Sequence, residues 1–279
     1  MRVEVKRLAL VLVDISGYTR FVKMHTMSLL HAESIITDLL GAVIDNAEFP
    51  LTLSKLEGDA AFLYCELEEG PRDRAAAADI LRQVDAFFAA FDAKASELVA
   101  ADACRCDACS NIPMLKLKSV LHAGPAVIKK VRQFEEVAGE DVIVVHRLMK
   151  NTVPSNEYVL MTQAFYDLSG GFPGRTAEAR VEACEGLEPV AVKVYYKDGA
   201  ARPLPPRPAP MPPIPGTTYG NTSIRWSAYA VARVFGRSRS NFSHLPDARL
   251  TPADLWEYFV TGLGGNLVTI ARYWLGLRN

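Results

Sequence analysis

From Leu8 to Val13 the chain runs through six consecutive apolar residues and stops at Asp14. A run of that length without alternation suits a strand buried on both faces of a sheet, and its end delivers a carboxylate to the sheet's edge. The same run is too short to be the core of a signal peptide followed by a cleavage site. The first anchor of the fold is therefore an inner strand with an acid at its tip.

Beyond that strand the hydrophobic period changes several times. Ser28 to Ala47 sets Ile36, Leu39, Leu40, Val43 and Ile44 on one helical stripe. Leu51 to Lys55 and Ala60 to Cys65 read as short strands, with Leu56-Glu57-Gly58-Asp59 as a hairpin turn carrying glycine at its tip. Arg72 to Val99 is alanine-rich and repeats Ile80, Leu81, Val84, Phe87, Phe88 and Phe91, which predicts a long helix packed on a sheet. Met114 to His122 alternates; Gly124 and Pro125 are expected to turn the chain, and Ala126 to Val131 to complete a second hairpin. Gly139 to Asn151 reads as helix, and Tyr158 to Thr162 and Val190 to Tyr196 read as strands. The order β-α-β-β-α-β, with additions, predicts an α+β fold: a ferredoxin-like sheet with helices on one face.

Eight prolines between Pro203 and Pro215 leave few amide donors and few helical dihedrals. Residues 201–216 are therefore expected to be an extended linker, between a domain over 1–200 and a helical C-terminal extension over 217–279. That extension places Trp226, Trp256, Phe259, Leu263, Leu267, Ile270 and Trp274 at helical spacing. Glu257, Asn266 and Arg272 interrupt it and three glycines weaken it, so it is not expected to span a bilayer. Peripheral membrane contact, a protein contact and docking on its own domain all stay open.

Lysine plus arginine, 31, nearly balances aspartate plus glutamate, 32, so no overall field recruits nucleic acid, and no nucleic-acid partner is expected. Three of the five cysteines crowd into an insertion over 102–112, unlike the spread framework of a small secreted domain, and a reducing, cytoplasmic location fits better. Cys104-x-Cys106-x-x-Cys109 offers three soft ligands, which makes a structural Zn2+ one reading if His122, Cys65 or Cys184 supplies a fourth. Reduced thiols without metal are the other.

Two divalent cations gripping a polyphosphate need hard oxygens that converge from different chain segments. In a β-α-β-β sheet the hairpin bearing Asp59 returns beside the first strand, so Asp14 and Asp59 are expected to face one cleft. In isolation Asp14 reads as a capping or turn aspartate, and Lys55 with Glu57 as a solvated strand pair. His25, His31 and His146 lack mutual ligand spacing and read as surface or packing residues.

Together the motifs say more than each does alone. Asp14-Ile15-Ser16-Gly17-Tyr18-Thr19 and Lys55-Leu56-Glu57-Gly58-Asp59 resemble the two metal-site motifs of class III nucleotidyl cyclases. Leu121-His122-Ala123-Gly124 is similar to that family's strand-end His-x-Gly, Gly139-Glu140-Asp141-Val142 to Arg147-Leu148 to its catalytic helix, and Gly186-Leu187-Glu188-Pro189 to its closing loop. The resemblance spans about residues 5–198, the extent of one domain.

The resemblance implies a cyclase-type sheet and a set of roles. Asp14 and Asp59 would ligate two Mg2+ or Mn2+ with help from the Ile15 carbonyl, and the turn amides of Ser16, Gly17, Tyr18 and Thr19 would face phosphate. Lys55 and Glu136 would read the purine and favour ATP, with Glu135 one residue away as the alternative. Arg147 would steady charge at the reacting phosphorus and come from a partner subunit, implying a head-to-tail homodimer. Ile143 departs from the pattern: it stands where the family carries a ribose-orienting asparagine, and its side chain makes no hydrogen bond. The expected activity is conversion of ATP to cyclic AMP and pyrophosphate; the alternative is a degenerate module that binds nucleotide or metal and signals without turnover.

Overall fold

The structure, a computed structural model, describes residues 3–19, 21, 29–68, 70–100 and 111–201. The chain divides into two compact units, residues 1–97 with 111–206 and residues 98–110 with 207–279, and almost all described residues belong to the first. Cys104, Cys106, Cys109, the proline-rich segment and the C-terminal aromatic stripes lie outside the described residues. Among the described residues no helix is long and apolar enough to cross a membrane.

The elements are β1 (Val3–Ser16), α1 (Leu29–Ile44), β2 (Thr52–Glu57), β3 (Ala60–Glu66), α2 (Pro71–Ala100), β4 (Lys116–Val131), β5 (Phe134–Ala138), α3 (Glu140–Leu148), β6 (Tyr158–Thr162), α4 (Gln163–Ser169), β7 (Glu178–Glu182) and β8 (Val190–Tyr196). One mixed sheet runs in the order β2-β3-β1-β4-β6-β8-β7, with β5 paired to the far end of β4. Its architecture is the α+β sheet expected from the sequence, with β1 at its interior between β3 and β4.

Both faces of β1 are buried, which is why its sequence does not alternate. Leu8, Leu10 and Leu12 join Phe62, Val120, Leu160 and Val194 in one cluster, which α3 covers with Val142, Val145 and Leu148. Ala9, Val11, Val13 and Ile15 on the other side are equally buried, as are the stripes of α1 through Ile36, Leu39 and Val43 and of α2 through Ile80, Val84, Phe87 and Phe91. At about 1.5–3 kcal/mol for each fully buried large apolar side chain, these two layers supply the bulk of the folding drive.

Gly124 and Pro125 do not turn the chain. β4 passes straight through them as one strand of 16 residues, and the second hairpin lies further on, between β4 and β5. The reason is in the pairing: β6 occupies Lys118–Leu121 of β4 and β5 occupies Val127–Val131, so the amide that Pro125 lacks falls in the gap between them. The reversal uses Arg132 at φ 57 instead. β5, α4 and the edge strand β7 are additions that the periodicity did not resolve.

Candidate functional site

The tip of β1 and the β2–β3 turn meet at one corner of the sheet. Asp14 lies opposite Ala60 in β3, so Asp59, one residue earlier, is carried beside it. Gly58, with φ +65, makes the tight reversal that a residue with a side chain adopts only under strain. The Ile15 amide donates to the Asp59 carbonyl at 3.1 Å and fastens the turn to the strand end. Burial, and then the neighbouring Asp14 carboxylate, push the Asp59 carboxyl up to about 6. Two acids whose charges oppose each other in a half-buried corner are a poor structural device and a good cation site.

Asp14 has a third companion. Lys118 of β4 lies directly across from it, with the ammonium 3.0 Å from Asp14 Oδ2. The alternation of Lys116 and Lys118 sets them on one strand face in sequence, but only the β1–β4 register reveals that Lys118 meets Asp14 while Lys116 lies opposite Ser16. Beyond the strand, Tyr18 donates to Glu33 of α1 at 2.9 Å. Burial, ahead of the bond to Glu33, pushes the Tyr18 phenol up to about 12, and the Asp59 charge adds to the shift.

A second cluster forms where β2 faces α3. Lys55 pairs with Glu57 at 2.6 Å and stands 5.9 Å over the Phe62 ring, its partner in the β2–β3 register. His146 of α3 lies 3.4 Å from the other oxygen of Glu57, with its ring 5.3 Å from that of Phe62. Burial lowers the His146 pKa, partly offset by Glu57. His146 is thus a packing residue, as its isolated spacing predicts, and it is also a neighbour of Lys55. Glu136 pairs with Lys129 at 3.0 Å, whereas Glu135 accepts from Tyr64 at 2.8 Å. Tyr64 and Phe62 share one face of β3, so Glu135 is the glutamate brought to the Lys55 face.

On α3 the buried residues are Val142, Val145 and Leu148, which turns Ile143 and Arg147, one helical turn apart, outward together. Arg147 pairs with the exposed Glu185 at 2.9 Å. His122 is held inside: Nε2 lies 2.6 Å from Asp141 and Nδ1 lies 2.8 Å from Thr162, whose hydroxyl also caps α4. A carboxylate only accepts, so Nε2 carries the proton toward Asp141 and both ring nitrogens are engaged. His122 is therefore a structural tie between β4, α3 and β6. Cys65, another candidate fourth zinc ligand, has its thiol pushed up to about 11, chiefly by burial.

Among the described residues no group of three or more histidine, cysteine, aspartate and glutamate side chains is arranged to hold a metal. The Asp14–Asp59 pair suits a different kind of site, one where the protein gives one or two carboxylates and substrate phosphates complete the coordination. The residues present fit Mg2+ or Mn2+ in that sense.

A family model described as a protein of unknown function (DUF2652) matches residues 36–158, a span containing Lys55, Asp59, Lys118 and Arg147. The chain is 29% identical over 220 residues to the uncharacterized protein Rv2561/Rv2562 of Mycobacterium tuberculosis, covering 75% of this chain and 94% of that one. Among solved structures the fold is similar to the adenylyl cyclase CyaB from P. aeruginosa, with TM-score 0.55, 15% identity and coverage of 74% of this chain and 100% of that one. It is likewise similar to the guanylyl cyclase Cya2, with TM-score 0.53, 11% identity and coverage of 74% and 100%. The catalytic core of a rhodopsin-guanylyl cyclase with converted specificity, in complex with ATPαS, gives TM-score 0.50, 14% identity and coverage of 70% and 98%. At these identities the likeness is one of fold: this chain has a nucleotidyl cyclase-like fold.

Proposed function

We propose that this cyclase-like fold is a two-metal nucleotidyl cyclase that converts ATP to cyclic AMP and pyrophosphate in a head-to-tail homodimer. The observation that carries the reading is the meeting of Asp14 and Asp59 at one corner of the sheet, with the Asp59 carboxyl raised first by burial and then by the Asp14 charge beside it. When bound, two divalent cations supply the charge that acidifies the ribose 3′-hydroxyl and offsets the triphosphate. Asp14 and Asp59 would hold the cations and so orient the polyphosphate, to whose oxygens the Ser16–Thr19 turn presents amides. The 3′-hydroxyl gives its proton to solvent, its oxygen bonds to the α-phosphorus, the bond from that phosphorus to the α–β bridging oxygen breaks, and pyrophosphate leaves with the electron pair.

Arg147, on the outward face of α3, is suited to reach across to the other copy's phosphates, and a permanently charged guanidinium suits that task. Lys55, with Glu136 or with Glu135 on its own face, would read the purine. Arg147→Ala is expected to lower turnover about 100-fold. Its unfolding free energy should stay within about 0.5 kcal/mol of the unaltered chain, because the pair with exposed Glu185 is worth little. Steady-state kinetics beside urea titration checks both halves of that statement.

A second reading, a degenerate module that binds nucleotide without turning it over, is favoured by one feature: Ile143 sits exposed beside Arg147 on the catalytic-type face and offers no hydrogen bond to a ribose. Incubating the protein with ATP or GTP and Mn2+ or Mg2+, and measuring cyclic nucleotide by mass spectrometry, separates the two. Cyclic AMP that disappears in Asp59→Ala supports the enzyme. Metal-dependent ATP binding without product supports the module.

A further inference from the structure

Asp14 and Asp59 share their corner with a cation that belongs to the chain itself. Lys118 stands opposite Asp14 in the β1–β4 register, and both side chains of this 3.0 Å pair are mostly buried. The same ammonium donates to the Met149 carbonyl at 3.3 Å, just past the end of α3. The neighbourhood therefore holds two carboxylates, one ammonium and one main-chain carbonyl. A lysine buried only for a structural pair needs a single acid; here a second acid stands beside the first, and one positive charge does not balance both. The remaining negative charge is what draws in a divalent cation, which must then take an oxygen that the ammonium already holds.

The geometry points to Lys118 as a resident counter-cation that a divalent metal ion displaces from Asp14, so that this lysine sets the metal affinity of the site. The inference deepens the cyclase reading and rests on it. Lys118 has a second acceptor in place, so leaving Asp14 costs it one of two bonds and not both. That second acceptor follows directly on the helix bearing Arg147, so metal entry and the end of α3 share one side chain. In the metal-free protein the ammonium offsets the repulsion that two adjacent carboxylates impose on the β2–β3 turn, and keeps the pair assembled.

The test is Mn2+ binding by the full chain at about pH 8 without nucleotide, read from the electron paramagnetic resonance of free Mn2+. Lys118→Gln is expected to bind about tenfold more tightly than the unaltered chain, because a competing charge has gone. Lys118→Arg should bind about as weakly as the unaltered chain. Adding Asp14→Asn to Lys118→Gln should remove the gain and so tie it to this carboxylate pair. Equal affinity with and without Lys118, lost in both on Asp59→Asn, would leave the metal site standing and overturn the role of the lysine. No Mn2+ binding by any of these chains would overturn the inference and the two-metal reading together. Should Lys118→Gln fail to fold, the unaltered protein carries the test: acetylation of Lys118 by acetic anhydride, followed by mass spectrometry, is expected to rise severalfold with Mn2+. Labelling indifferent to bound Mn2+ would count against displacement.

Discussion

Asp59→Asn is expected to make the metal-free protein more stable by about 1 kcal/mol near neutral pH while abolishing Mn2+ binding and cyclic nucleotide formation. The stabilisation follows from the Asp59 carboxyl, which burial and Asp14 raise to about 6. Between the ordinary carboxylate range and about pH 6 the folded chain keeps a proton that the unfolded chain has released. Stability therefore falls as pH rises through that window, and the cost is fully present above it. A shift of that size in a sealed site corresponds to about 3 kcal/mol. Asp59 is half-buried, and solvent screening brings the figure to about 1 kcal/mol, or about 3 °C in Tm for a domain of this size. Asparagine keeps the shape, donates to Asp14 and carries no charge. The advantage of the variant should be full at about pH 7.5 and vanish below about pH 4, where the native carboxyl is protonated in both states. Urea titrations across that range check it. An Asp59→Asn protein less stable at every pH would mean that the carboxylate serves the fold and not a cation.

How much of this corner was legible beforehand depends on what kind of information each residue carries. Asp14 and Asp59 were readable because a buried strand and a glycine turn advertise themselves locally, and the return of a hairpin beside its neighbouring strand is a topological rule. Lys118 was visible only as one member of an alternating face. Its meeting with Asp14 is a matter of register between strands about a hundred residues apart, which no local pattern encodes. His146 packs as its isolated spacing predicts, but its partners, Glu57 and Phe62, come from other elements and are equally hidden from local pattern. The false turn at Gly124-Pro125 shows the opposite failure. There a strong local signal was overridden, because the missing proline amide falls between two strand partners and the glycine answers to a side chain from α3.

That last contact yields the second large effect. A Cβ at position 124 would come within 2.4 Å of the carboxyl group of Asp141, which is anchored by His122. Gly124→Ala thus forces Asp141 off the imidazole and leaves a buried His122 nitrogen without its acceptor. Loss of a charge-assisted bond together with an unsatisfied buried group costs about 2–3 kcal/mol. Asp141→Ala should cost about the same for the same reason. The two changes should not add: once Asp141 is truncated the three atoms nearest the new methyl are gone, so the double variant should resemble Asp141→Ala alone, with a coupling of about 2 kcal/mol. Denaturant unfolding of the two single variants and the double variant closes the cycle. Additive losses would mean that Gly124 is required by the backbone of β4. Coupled losses make the glycine of the His-x-Gly motif a clearance for the carboxylate that holds α3, and with it the arginine face, against the sheet.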